Sequence, residues 1–452
     1  MEVLIQILHF LLSLSILIVV HEFGHFIAAK AFNTRVEKFY LFFNPGFSIF
    51  KFQFKGTEYG MGWLPLGGYV KIAGMIDESM DKEQLKKPPQ PWEFRTKPTW
   101  QRLIIMLGGV IMNILLAVVI YTLMLFSFGE KYLPSKNLTD GIWVQDPVLI
   151  DVGLRTGDKI ISIDGNQPPL RYNEILIEML YSSSMVIDRD GSEIEIAIPK
   201  DLAGRLSEKR GSTILPRMPF VVAKVPEESH NYGAGLEFMD RIVKVDGTAV
   251  TYFDELKPIA ENLKGQTAEF EVIRNQDTLR YSLLINDEGL IGVQMGFLDN
   301  DLLEQKGFYV FEKQDFSLLQ AIPAGFRMAS QQLSDYIRQF KLLFNPDTGA
   351  YKGLGGFITI GSFFPDSWDW QTFWRLTAFL SVMLAFLNVL PIPALDGGHV
   401  MFLFYEIIAR RKPSDKFMEV AQITGMVILF GLLIFANGND VLRVLERWGL
   451  IN

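Results

Sequence analysis

The chain has 452 residues, of which 49% are hydrophobic and 36 are phenylalanine, too long for one compact core and too apolar for a chain exposed to water throughout. It contains no cysteine, which excludes disulfide frameworks, thiolate metal sites and cysteine nucleophiles, so any metal must be held by Asp, Glu or one of the 5 His. A formal net charge of −8 leaves no electrostatic footprint for a nucleic-acid partner, and none is expected.

The first apolar run, Val3 to Val20, continues through His21 to Phe32 without a helix breaker. It is too long and too weakly basic at its start for a cleavable signal peptide, and residues 1–32 read as a first membrane span. His21-Glu22-Phe23-Gly24-His25 lies near its end. On a helix, His at i and i+4 point from one face and can share a metal, with the intervening Glu in reach of a water. The alternative is two histidines satisfied by hydrogen bonds inside a helix bundle. Each of these polar groups, however, costs on the order of 2 kcal/mol or more in hydrocarbon, a cost that a metal offsets.

Residues 33–101 read as a cytoplasmic, membrane-associated β region, rich in Phe and Gly between Lys38 and Val70 and alternating in Phe50-Lys-Phe-Gln-Phe-Lys55. The second span, 102–128, carries no charge from Leu103 onward. Its Asn113 is open to two readings, an interhelical hydrogen bond or a substrate contact.

Within 129–370 a pattern recurs at an offset of 82 residues. Gly153, Leu154, Asp158 and Asp164-Gly165 are matched by Gly235, Leu236, Asp240 and Asp246-Gly247, with Met239 replacing the second glycine, Gly157. The repeat predicts two small β-rich modules, 129–215 and 216–300, with strands at Lys159–Ile163 and Arg241–Val245, each followed by an Asp-Gly hairpin turn. Residues 301–370 follow as an amphipathic helical region. Leu318, Ile322, Phe326, Leu333, Ile337, Phe340, Leu343 and Phe344 form an apolar stripe suited to packing against the membrane or the two modules.

The third span and its continuation, 371–410, contain Asn388-Val-Leu-Pro-Ile-Pro-Ala-Leu-Asp396-Gly-Gly-His399. Its prolines and glycines break the helix, so that a carboxylate can turn toward a neighbouring span. Catalytic zinc takes three protein ligands, and Asp396 reads as the third. His9 lies about 18 Å earlier along the first helix, and His230 lies in the second module. His399 is a competing ligand or, one turn beyond the glycine pair, a structural residue. A loop, 411–418, precedes the fourth span, 419–437, and a tail, 438–452.

Charge sets the orientation. Residues 30–102 hold 12 basic and 7 acidic residues, Arg410, Arg411, Lys412 and Lys416 cluster before the last span, and 129–370 hold 24 basic against 36 acidic. The basic loops read as cytoplasmic, leaving both modules and both termini extracytoplasmic. The expected fold class is a polytopic α-helical membrane protein with four transmembrane helices, a membrane-associated β-hairpin or sheet region, and two β-rich extracytoplasmic domains.

The repeated pattern resembles a PDZ domain in circularly permuted form. Such domains receive an extended peptide at a sheet edge, although rigid spacers or steric filters would serve equally as a reading of the pair. In motif order along nearly its whole length, the chain resembles the site-2 proteases, and most closely the RseP-type regulated intramembrane zinc metalloproteases of bacteria. The resemblance implies one Zn2+ per chain on His21, His25 and Asp396, Glu22 as catalytic glutamate, and Asn388 as a residue that helps hold substrate. It also places Leu66, Gly67, Gly68, Tyr69, Val70 and Lys71 in a membrane-associated β-hairpin, whose edge suits strand addition by substrate. Implied partners are membrane lipid and single-span transmembrane proteins, such as anti-sigma factors trimmed by an upstream site-1 protease, or remnant signal peptides. The implied location is the bacterial cytoplasmic (inner) membrane. Gly108-Gly109 and Gly355-Gly356 stand where the family often has Gly-Pro, a departure expected to alter backbone stiffness but not chemistry. Two competing readings are a membrane-anchored PDZ scaffold or receptor with a structural metal site, and a metal transporter. Against the transporter stands the lack of a second inverted repeat.

Overall fold

The computed structural model describes residues 2–65, 67–75, 88–208, 214–296 and 300–447; Leu66 of the expected substrate edge lies outside them. The chain divides into two compact units. One comprises Met1–Gly129, Asp315–Phe344 and Leu354–Asn452, the other Glu130–Gln314 and Asn345–Gly353.

The first unit is built on helices α1 (Glu2–Ala31), α2 (Thr99–Phe128), α3 (Leu318–Leu343), α4 (Phe357–Gly361), α5 (Trp370–Val389), α6 (Asp396–Ala409) and α7 (Asp415–Arg447). Four of them, α1, α2, α5 and α7, are long and apolar enough to cross a membrane, in line with the four spans expected. Helix α2 is the common partner, with α1, α3, α5 and α6 all packed on it. Its crossing with α1 is backbone on backbone: a Cβ added to Gly24 would lie 2.1 Å from the Gly108 carbonyl oxygen. Small residues at such crossings replace side-chain packing by close helix approach. Hydroxyls then tie α5 into the group. Thr377 Oγ1 lies 3.0 Å from Ser13 Oγ of α1, and Ser381 Oγ donates to the Asn113 carbonyl of α2 at 2.8 Å.

The expected break within 371–410 is found, and two other expectations need correction. The segment 371–410 is two helices, because Pro391 and Pro393 cannot continue the ladder of α5 and the chain restarts at Asp396. The last helix extends from Asp415 to Arg447 rather than over 419–437, since nothing in 438–447 interrupts it. Finally, the β region is a four-stranded sheet of β1 (Val36–Leu41), β2 (Phe50–Phe54), β3 (Thr57–Met61) and β4 (Tyr69–Ile72), in the order β2-β3-β1-β4. Tyr69, Val70 and Lys71 therefore lie in the edge strand β4, antiparallel to β1, and not in the β2–β3 hairpin. The ring of Tyr69 stacks on Tyr40 at 5.3 Å, which fixes that pairing. Residues 301–370 are shared between the units. Within them α3 buries Ala321, Ala324, Gly325, Ala329 and Tyr336 against partners on α2 and α5.

In the second unit, β5 (Lys159–Ile163), β6 (Ser184–Arg189) and β7 (Ser192–Ala197) form one antiparallel sheet. A second sheet contains β8 (Arg241–Val245), β9 (Thr248–Ala249), β10 (Thr267–Arg274) and β11 (Asp277–Leu284). The residues of the recurring pattern make matching contacts. Asp158 is buried and accepts from Arg189 Nε at 2.7 Å and from the Arg155 backbone at 2.7 Å; Asp240 accepts from Arg274 Nε at 2.8 Å and from the Glu237 backbone at 2.8 Å. Both arginines also donate to a glycine carbonyl, of Gly153 and Gly235, at 2.7 Å. Leu154 is buried in the first core and Leu236 packs against the second. Backbone N–H groups of Ser184 and Ser183 hold the Asp164 carboxyl below the usual carboxylate range, and Asp246 likewise accepts from the Glu269 backbone at 2.7 Å. Both Asp-Gly turns have positive φ at each central residue, 47° and 74° in the first and 45° and 78° in the second, as a two-residue hairpin of matching twist requires.

Gly157 has φ 96°, and Met239 at the matching position has φ 71°. A left-handed Met is strained by about 1–2 kcal/mol, and its side chain packs against the core that contains Leu154 and Ile163, which offsets the strain. The space around a Cβ at Gly157 is open. Gly157→Ala is therefore expected to lower stability by about 1 kcal/mol through backbone conformation alone, read as a lower denaturant midpoint for the second unit; an unchanged midpoint contradicts the strain argument.

Candidate metal centre

His21 and His25 occupy consecutive turns of one face of α1, and Asp396 is the first residue of α6, after the break at Leu390–Leu395. Glycines let that break fold tightly: a Cβ on Gly397 would lie 2.3 Å from the Leu390 carbonyl oxygen, and one on Gly398 would lie 2.3 Å from Pro393 Cα. These three residues form a potential metal-ligand group among the described residues. His399 and His9 are not part of it; His9 packs among the rings of Trp368, Trp370 and Phe373. His230 contacts the Leu284 carbonyl in the second unit.

The ring nitrogens can be assigned from their partners. His25 Nδ1 lies 2.8 Å from the Ile105 carbonyl of α2, an acceptor only, so Nδ1 carries the proton and Nε2 a lone pair. His21 Nδ1 lies 3.1 Å from the Asn113 amide. With the amide nitrogen toward the ring, Asn113 Oδ1 is buried without a partner. Turning the amide satisfies that oxygen with the Nδ1 proton and leaves His21 Nε2 free. His21 Nε2 and His25 Nε2 are 3.2 Å apart, and each is 3.2 Å from Asp396 Oδ2. Three acceptors thus converge with no donor between them, and Asp396 Oδ2 is buried with no hydrogen-bond partner.

Such a cluster repels itself unless a cation sits at its centre. Tetrahedral zinc with bonds of about 2.0–2.1 Å separates its ligand atoms by about 3.3 Å, close to all three observed distances. The donor set therefore fits zinc, with two imidazoles, one carboxylate and a remaining position for water or substrate.

Glu22 follows His21 on α1, and its carboxylate accepts a hydrogen bond from the Val70 backbone of β4. A Cβ on Gly68 would meet Glu22 Cγ at 3.2 Å, the Tyr40 carbonyl at 2.8 Å and Ile18 at 2.6 Å, so only glycine lets this edge lie against the helix. Gly67 has φ 151° and approaches the Phe43 ring. Tyr69 donates to Asn44 Oδ1 at 3.0 Å, and Lys71 pairs with Glu37 at 3.7 Å. Asn388 lies at the end of α5, directly before the break that leads to Asp396.

Several contributors carry no motif. The Ile105 carbonyl is a backbone group and leaves no trace in residue identity. Gly108-Gly109 was expected to affect stiffness alone, and that expectation is corrected. A Cβ on Gly109 would lie 2.5 Å from His21 Cε1 and 2.5 Å from His25 Nε2, so the glycine clears the space that both rings occupy. Its signal was an isolated glycine pair inside an apolar helical run.

Comparison with known proteins agrees with this chemistry. The profile of peptidase family M50 matches residues 9–432. A candidate zinc metalloprotease of Vibrio cholerae is 28% identical, covering 98% of this chain and 100% of its own length. Metalloprotease MmpA of Caulobacter vibrioides is 25% identical, over 97% of this chain and 96% of its own. The regulator of sigma E protease of Haemophilus influenzae is 26% identical, over 96% and 98%.

Because the Asn113 side chain is the partner of His21 Nδ1, Asn113→Ala is expected to weaken zinc retention on dialysis about tenfold in a protein that still folds; full zinc content in that variant contradicts the assigned tether.

Proposed function

This chain belongs to peptidase family M50, the site-2 protease family, and we propose that it is an intramembrane zinc endopeptidase acting on single-span membrane proteins. That it is a metalloprotease follows from the family and its relatives. The observation that carries the finer reading is the convergence of His21, His25 and Asp396 at 3.2 Å within apolar helices, beside a glutamate that touches a sheet edge.

In this reading His21, His25 and Asp396 hold one zinc. Zinc bound there supplies a Lewis acid that polarises a peptide carbonyl and lowers the pKa of water to about 7. Glu22 takes the proton of the attacking water and passes it to the leaving amide nitrogen. Asn113 and the Ile105 carbonyl hold the two imidazoles in the tautomer that leaves Nε2 free. A helical substrate hides its amide bonds, so cleavage requires local unwinding. Gly67, Gly68, Tyr69, Val70 and Lys71 then offer the edge of β4 for strand addition, and Asn388 provides a side-chain amide to hold the same segment.

The two modules of the second unit are proposed as PDZ domains, supported by their matching Asp–Arg contacts and Asp-Gly turns. The distribution of Lys and Arg supports a bacterial inner-membrane protein with these modules and both termini extracytoplasmic. The regulator of sigma E protease among its relatives supports anti-sigma factors as a substrate class. The PDZ pair would then admit substrates already trimmed by an upstream protease.

Purified wild type and Glu22→Gln are compared in detergent on a tagged, trimmed single-span substrate. The variant is expected to retain zinc and to lose activity about 10³-fold, within the usual range for a general base. Equal cleavage by both removes Glu22 from the chemistry, and cleavage by neither across several substrates favours the scaffold reading.

A further inference from the structure

Two of the three proposed zinc ligands are held from behind by α2: His25 by the Ile105 carbonyl and His21 by Asn113. No such tether reaches Asp396 Oδ2, which has no hydrogen-bond partner among the described residues. Asp396 follows a segment broken by two prolines, and the next two residues are glycines that pack closely on that segment but carry no side chain to reach a neighbouring helix. The depth and rotation of α6 must be set elsewhere.

They are set ten residues on. Arg102 Nη2 of α2 donates to Glu406 Oε1 of α6 at 2.6 Å, and Thr99 Oγ1 donates to the same oxygen at 3.3 Å. The guanidinium is itself fixed, with Nη2 3.2 Å from Thr99 Oγ1 and Nε donating to the Lys97 carbonyl at 3.0 Å. Both side chains are largely shielded, at 9% and 14% exposure. Between this pair and Asp396, Leu403 packs with Ile105 and Met106 in one core cluster. An α6 pinned at Glu406 can neither slide nor rotate on α2 without breaking a shielded ion pair. Such pairs add little net stability, but leaving one partner unpaired is strongly penalised, which makes this one a device for selecting a single helix register.

We propose that Arg102 and Glu406 are a positioning pair that fixes α6 on α2, so that Asp396 meets His21 and His25 at zinc-binding distance. The proposal rests on the zinc reading of that cluster. Helix α2 thereby acts as the template for the whole ligand set, through Arg102, Ile105, Gly109 and Asn113 in succession along its length. The pair lies about 15 Å along α6 from Asp396 by helical rise, so its influence is mechanical and not a direct field on the metal.

The test uses the full chain in detergent, with zinc affinity read by chelator competition in the absence of substrate and the melting temperature of the zinc-free protein as a fold control. Glu406→Gln is expected to weaken zinc binding about tenfold and to lower kcat with KM unchanged, beyond the fall in zinc-free melting temperature that leaving Arg102 unpaired causes by itself. The exchanged pair Arg102→Glu with Glu406→Arg is expected to recover most of the zinc affinity. If Glu406→Gln does not fold, Thr99→Ala, which keeps both charges, is read in its place, with a smaller loss in the same direction. Zinc affinity within twofold of wild type in the folded variant overturns the proposal, as does an exchanged pair that folds but binds zinc no better than Glu406→Gln. A chain whose zinc affinity depends on the pair but which cleaves nothing overturns the protease reading and leaves this inference standing.

Discussion

Two imidazoles and a carboxylate placed among membrane-spanning helices must be oriented and neutralised from within, because no surrounding water can do either. Everything local to the site follows from that constraint. The Nδ1 atoms of His25 and His21 face protein partners, the Ile105 carbonyl and Asn113, leaving three acceptors 3.2 Å apart. A cation at their centre would turn that mutual repulsion into attraction.

The architecture serves that cluster through α2. Its backbone touches α1 at Gly24 and Gly108, close enough for an α2 carbonyl to reach a histidine of α1. Helix α5 is held by the hydroxyls of Thr377 and Ser381, which fixes where the break after Val389 begins. On the other side of Glu22, Gly68 lets β4 lie against the helix. The proposed metal ligands, the proposed proton acceptor and a strand edge are thus gathered with the help of two close backbone approaches, at Gly24–Gly108 and at Gly68, each of which needs glycine for the physical reason that a Cβ has nowhere to go.

Much of this was legible in the sequence where a local rule applied. The spacing of His21, Glu22 and His25 needs only one helix, and the apolar runs announce the spans. Lys159–Ile163 and Arg241–Val245 are strands at the expected residues, since alternation and Asp-Gly turns act over a few neighbours. What stayed hidden depends on partners distant in the chain. β4 was readable as a strand, but its seat beside β1 follows from the parallel pairing of β1 with β3. Glu406 meets Arg102 across 304 positions, and Gly109 acquires its meaning only when the two histidines face it. Met239 broke the pattern of its counterpart Gly157, and the reason lies in a core contributed by another part of the unit.

Zinc K-edge X-ray absorption on the full chain, purified with one zinc bound, reads the donor set around the metal. Two imidazoles and oxygen donors in a four-coordinate shell are predicted for wild type, with one imidazole lost in His25→Ala. A spectrum without imidazole scattering, or one unchanged when His21 and His25 are both replaced, would contradict the account.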